Sequence, residues 1–146
     1  MSVQKYRLVA FLGLVMLLLA ACAGAGQSGG QSSLPALNGT EWVLSSMNGQ
    51  KPIEGSTVTI KFDAADYGGR SGCNSYGGNY TVEANGKLAL GPGAMTEMAC
   101  MEPAGVMEQE MAFLNTLSQA ASYQVNNDQL EVKNAAGETI LVFVKP

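Results

Sequence analysis

The chain has 146 residues, 47% hydrophobic and only 14% charged, with twelve acidic side chains against eight basic ones and a net charge of −4. Its Lys and Arg residues are scattered rather than clustered, which excludes a nucleic-acid binder that tracks phosphates. The absence of histidine removes Ser-His-Asp and Cys-His nucleophile systems, histidine-based zinc sites and the usual near-neutral general base.

Lys5 and Arg7 open the chain, residues 8–19 are almost entirely apolar, and Ala20 and Ala21 are small. A cationic start, a short apolar stretch and a small-residue cleavage site make a secretory signal, and the run is short for a span of about 20 residues. With Cys22 next in line, residues 1–21 resemble a bacterial lipoprotein signal peptide. That resemblance implies cleavage after Ala21, lipidation of Cys22 and a membrane partner held through acyl chains. Ala23 stands where an Asp would signal inner-membrane retention. In a host with two membranes the resemblance therefore implies the outer membrane, facing the periplasm. Removing Lys5 and Arg7 leaves six cations against twelve anions, a net charge of −6. With no basic stripe for anionic lipid, the acyl chains alone provide attachment. Residues 22–36 are mostly Gly, Ala, Gln and Ser without charge and read as a flexible tether. Residues 37–146 suffice for one domain and leave no room for a second.

Within that domain, Trp42-Val43-Leu44 ahead of Asn48-Gly49 predicts a short strand and a turn. Residues 57–63 alternate, with Val58, Ile60 and Phe62 on one face and Thr57, Thr59, Lys61 and Asp63 on the other, as in a half-buried strand. Asp63 and Asp66 match neither a calcium loop nor a hydrolase pair and read as a solvated turn. Gly68-Gly69-Arg70-Ser71-Gly72 reads as turn and bulge. The functional alternative is a binding loop in which Arg70, Ser71 and Asn74 present donors to an anionic group. Tyr76, Gly78, Tyr80 and Val82 share one face of a third strand. Leu88 and Leu90 suggest a fourth, ended by Gly91-Pro92-Gly93. From Pro103 to about Ala121 the spacing is helical, with Val106, Met107, Met111, Phe113, Leu114, Leu117 and Ala121 in one half of the wheel. Tyr123 and Val125, then Leu130 and Val132, predict a hairpin across Asn126-Asn127-Asp128, and residues 139–144 a last apolar strand. The expected fold is mainly β (α+β): an antiparallel, barrel-like sheet of about seven strands with one helix packed against it.

With Cys22 assigned to lipid, Cys73 and Cys100 are expected to pair in an oxidising compartment. A disulfide closing that loop is worth roughly 3–4 kcal/mol; two free buried thiols are the alternative. Met95, Met98, Met101, Met107 and Met111 crowd around Cys100. Thioethers with a thiolate suit Cu(I), but methionine is also an adaptable core filler and a disulfide removes the best ligand, so no metal and no cofactor are expected. Glu110 falls near the centre of the helix's apolar half, where a carboxylate needs a partner. Either it is an acid at the floor of a cavity, or it is bonded to backbone donors or to a neighbour such as Trp42 or a Tyr. Glu110 and Trp42 thus form a candidate buried polar site. On the favoured second reading, Glu110→Leu is expected to fold.

Three stretches then line up. Asn38-Gly39-Thr40-Glu41-Trp42-Val43-Leu44 resembles the "G-T-x-W-x-L" opening of META domains, found in HslJ-like heat-inducible envelope lipoproteins. Ser71-Gly72-Cys73-Asn74-Ser75-Tyr76-Gly77-Gly78-Asn79-Tyr80 resembles the family's "G-C-N-x-Y-x-G-x-Y", and Thr96-Glu97-Met98-Ala99-Cys100 its "T-x-M-A-C". The resemblance implies a barrel-like β fold with one helix, no established enzymatic activity, and an association with envelope stress and, in some members, antibiotic tolerance. The expected function is a non-catalytic, lipid-anchored envelope domain, monomeric, that binds an unidentified envelope protein or component and no nucleic acid. The alternative is a small-molecule carrier with its ligand inside a small barrel. The inward bulk of Trp42, Phe62, Tyr76, Tyr80, Phe113 and Phe143 favours a packed interaction module, which should carry an exposed apolar patch.

Overall fold

The computed structural model describes residues 36–146. The signal peptide, Cys22 and the tether up to residue 35 lie outside the described residues. Strand β1 (Thr40–Met47) extends the predicted Trp42–Leu44 segment on both sides and ends at Asn48-Gly49, both at positive φ (49° and 78°). Strand β2 (Thr59–Asp63) keeps the expected alternation, with Ile60 and Phe62 buried and Lys61 and Asp63 exposed.

Strand β3 (Asp66–Arg70) occupies the stretch expected to be turn and bulge. The turn is confined to Ala64-Ala65, with Ala64 at φ 52° and its N–H donating to Asn38 Oδ1 at 2.7 Å. Strand propensity is carried by side chains, and Gly68-Gly69 has none. The sheet requires that absence. A Cβ on Gly69 would run into the Thr59 carbonyl oxygen, and one on Gly68 would stand 2.8 Å from that of Tyr76.

Strand β4 (Ser75–Val82) is followed by β5 (Leu88–Met95), which continues through Gly91-Pro92-Gly93 instead of stopping there. Pro92 sits at the register shift opposite Asn79 on an edge strand, where a missing N–H is tolerated. Helix α1 (Val106–Leu117) is shorter than the predicted helix at both ends, starting after Gly105 at φ 85°. The predicted hairpin is present as β6 (Ser122–Asn126) and β7 (Gln129–Lys133), and the chain closes with β8 (Thr139–Val144).

All eight strands, one more than expected, form a single antiparallel sheet in the order β5-β4-β3-β2-β1-β8-β7-β6. The barrel expectation is corrected here, because the sheet does not close. Its edge strands meet near one isolated bridge, Lys87 with Ser122, where the Leu88 N–H donates to the Ala121 carbonyl (3.0 Å) and the Tyr123 N–H to that of Gly86 (2.9 Å). Beyond that point α1 flanks β5 in place of β6, with Leu114, Leu117 and Ser118 across a cleft from Gly91 to Met95.

The core lies between the inner face of the sheet and α1. Trp42, Ile60, Phe62, Phe113, Leu130, Leu141 and Phe143 are buried at its centre. Phe113 brings the helix into edge contact with Tyr76 of β4 (5.4 Å between centroids) and Phe143 of β8 (6.4 Å), geometries that add to area burial. Among the described residues the core cluster runs from Leu37 to Phe143, so residues 36–146 hold a core of their own. Gly69→Ala should destabilise this domain by about 2–3 kcal/mol in urea unfolding, because the clash is with backbone that cannot rotate away.

Candidate functional site: a buried carboxylate network

Helix α1 buries Val106, Gln109, Glu110, Phe113, Thr116 and Leu117. This stripe is rotated from the methionine side of the wheel, leaving Met111 exposed. The rotation follows from where Glu110 finds its partners. Glu110 Oε2 accepts the Ser71 hydroxyl at 2.5 Å and the Asn74 backbone N–H at 2.7 Å, and Oε1 accepts the Asn74 side-chain amide at 2.7 Å. Ser71 has one proton and a second acceptor, the Asn74 carbonyl, at 2.9 Å; the closer, charged acceptor takes it.

Asn74 is the hub of the network. Its Oδ1 accepts the Thr96 hydroxyl and the Met98 N–H, both at 2.7 Å, and its amide also donates to the Met98 carbonyl at 3.1 Å. The side chain thereby uses its full donor and acceptor capacity. One residue away, Cys73 is joined to Cys100 in a disulfide with Cα atoms 5.9 Å apart. Gln109, next to Glu110, holds a further segment: its Oε1 accepts the Ile53 N–H at 2.6 Å and its amide donates to Ser56 Oγ at 2.7 Å. Among the described residues no buried side-chain nitrogen or oxygen lacks a partner.

Burial alone pushes the Glu110 carboxyl up. The donors from Ser71, the Asn74 backbone and side chain, and the Cys73 backbone outweigh it and hold the group below its ordinary value. Glu110 is therefore a structural anion, ionised at neutral pH and spent on internal donors. Burial pushes the Tyr76 phenol, and those of Tyr67, Tyr80 and Tyr123, up, so all four stay neutral.

The structure divides the candidate residues. Ser71 and Asn74 of the proposed binding loop are fully buried and do meet an anionic group, which is the protein's own Glu110. Arg70 stays exposed, and its guanidinium donates to the Cys73 carbonyl at 3.3 Å. Trp42 is buried but separate from Glu110, its indole N–H donating to Thr40 Oγ1 at 2.8 Å. Cys100 is committed to its disulfide, and the described residues hold no cluster of His, Cys, Asp and Glu suited to a metal. Asp66 accepts an exposed bond from the Asn79 amide at 2.6 Å. Gln109, Thr96 and the Met98 backbone were not expected at this centre. Thr96 and Met98 lie in the stretch matched to "T-x-M-A-C", which placed them together without saying what they touch.

Fold and network define a small α+β domain on one open antiparallel sheet, with its helix fastened by a buried carboxylate and its loops closed by a disulfide. Residues 35–146 match the META domain family, and the chain belongs to it. It is similar to the solution structure of a protein from Burkholderia xenovorans, with a TM-score of 0.60 and 30% identity over 75% of this chain and 83% of that one. A second solution structure is similar at a TM-score of 0.59 and 25% identity, covering 75% of this chain and 91% of that one. No curated protein matches the chain.

The expectation that Glu110→Leu is tolerated gives way to the bonding now seen. Leucine would leave the Ser71 hydroxyl, the Asn74 N–H and the Asn74 amide buried without their acceptor. The variant should lose about 3–5 kcal/mol in urea unfolding. The pH dependence has a definite sign. The folded carboxyl lies below its ordinary value near 4.5, so its stabilisation is complete above that pH and lost as pH falls through the lower folded value. Glu110→Gln should flatten this acid limb in unfolding experiments run from pH 6 downwards.

Proposed function

We propose that this is a non-catalytic, lipid-anchored domain of the cell envelope that serves envelope-stress responses or antibiotic tolerance by binding another protein or an envelope component. The observation that carries this reading is a run of exposed methionines. Met95 (42% exposed), Met98 (50%), Met101 (84%) and Met111 (68%) all lie between the end of β5 and the middle of α1. Methionine is flexible and polarisable and suits an adaptable contact surface. A solid core beside an exposed apolar patch is the combination an interaction module needs. The alternative carrier has less support. Its ligand would sit inside a closed barrel, whereas this sheet is open and its interior is filled by Trp42, Phe62, Phe113 and Phe143.

Attachment through Cys22 and placement on the periplasmic face rest on the signal-like N-terminus. The domain itself acts as a monomer. The motif residues support a non-catalytic role, because Ser71, Asn74 and Glu110 are bonded to one another and out of contact with solvent.

Two measurements test the proposal in cells. Cys22→Ser should move the protein from the membrane to the soluble fraction and abolish incorporation of a labelled fatty acid. A photo-crosslinking residue at Met101 or Met111 should capture a discrete adduct in membranes, while one at the exposed Ala135 in the turn between β7 and β8 should not. Equal capture at Ala135, or none at the methionine positions, would refute the binding surface.

A further inference from the structure

We infer that the cleft between α1 and β5 is a binding site for an uncharged, ring-bearing apolar small molecule. The cleft encloses about 360 Å3, within the range of small-molecule sites. Tyr67, Tyr76, Leu90, Met95, Leu114 and Leu117 line it, and it contains no charged side chain. That sets it apart from the cleft over β2 and β3, where Glu41, Lys61, Asp63 and Asp66 gather. With no charged side chain in the cleft, an ionic ligand would lose hydration and gain no counter-ion.

The two walls give the cleft its shape. On the sheet side Gly77, Gly91 and Gly93 present bare backbone. A Cβ on Gly93 would stand 2.7 Å from the Gly77 carbonyl oxygen, so no side chain fills that wall unless β4 and β5 part. On the helix side Leu114 and Leu117 supply an aliphatic surface. A wall of bare backbone facing an aliphatic one leaves room for a ring, and the tilted Tyr67 and Tyr76 rings, 6.2 Å apart, lie beside it. Of the two tyrosines in the lining, Tyr76 spends its hydroxyl on the Thr59 carbonyl at 2.8 Å. The Tyr67 hydroxyl donates to the Gly91 carbonyl over a long 3.3 Å, a bond weak enough to be exchanged for one to a ligand. Burial keeps that phenol protonated. The site goes beyond the envelope-binding role, and its test needs neither the anchor nor a protein partner.

The experiment uses residues 36–146, which hold the core cluster described above, and N-phenyl-1-naphthylamine as an uncharged fluorescent probe. Its fluorescence should rise saturably, and amide shifts should move at Gly77, Gly91, Met95, Leu114 and Leu117. The related anionic probe 8-anilinonaphthalene-1-sulfonate should bind at least about tenfold more weakly. Ser118→Trp, placed at the cleft rim on an exposed position, should weaken N-phenyl-1-naphthylamine by a similar factor. Ala84→Trp, in the separate cleft beside Tyr80 and Val82, should leave it unchanged. Leu114→Phe is the second filling variant should Ser118→Trp fail to fold. Unsaturable binding, shifts centred on Met98 and Met101, equal affinity for the anionic probe, or indifference to cleft filling would each overturn the inference.

Discussion

The domain depends on one constraint: a carboxylate placed inside the fold must be met by enough donors to hold it there as an anion. Glu110 meets it with the Ser71 hydroxyl and both the backbone and the side chain of Asn74. Several features then follow. The helix must present its Glu110 side inward, which turns Met111 out. The chain from Ser71 to Asn74 must curl so that a hydroxyl and an N–H point at the same oxygen. Asn74, oriented by Glu110, is left with the right groups to seize Thr96 and Met98. The disulfide at Cys73 lies beside this point and closes a loop whose ends the network already holds together.

The sheet is built in two ways on either side of its middle. Across β3, β4 and β5 the strands approach through glycines, and Tyr67, Tyr76 and Tyr80 lie over the inner face. Across β1, β8 and β7 the inner face is mainly aliphatic, with Leu44, Leu141, Phe143, Leu130 and Val132 buried. Phe113 touches one aromatic ring from each region. The helix thus joins a glycine-built region to an aliphatic one, with Glu110 on the next turn fixing its rotation.

Much of this was legible in the residues, for identifiable reasons. Alternation in residues 57–63 and the Asn127-centred hairpin are local signals, and both strands of that hairpin formed as read. Glu110 was conspicuous because charge conflicts with an apolar helical face, and its bonding to a backbone donor matches the favoured reading. Its actual donors lie 36 and 39 residues away in sequence, and no periodicity links positions that far apart. Gly68-Gly69 misled because glycine signals freedom in isolation, whereas here it permits backbone crowding that only the assembled sheet reveals. The methionines misled in the opposite way. Hydrophobicity put Met111 on the inner half of the helical wheel, but the helix rotation was decided by hydrogen bonds rather than by apolar count. Closure of the sheet depends on where the edge strands travel after Leu88, and turn signals do not encode that path.

The edge at β5 has a consequence for the molecule in company. An open antiparallel sheet offers its border as a template on which another chain can lengthen it. At this border the template is interrupted: Pro92 contributes no N–H, and the register shift opposite Asn79 bends the strand away from a straight ladder. A neighbouring copy would find a broken row of donors where an uninterrupted strand would offer a continuous one. The same kink that breaks the β4–β5 register thus also breaks the ladder that a second chain would need to extend the sheet at this border.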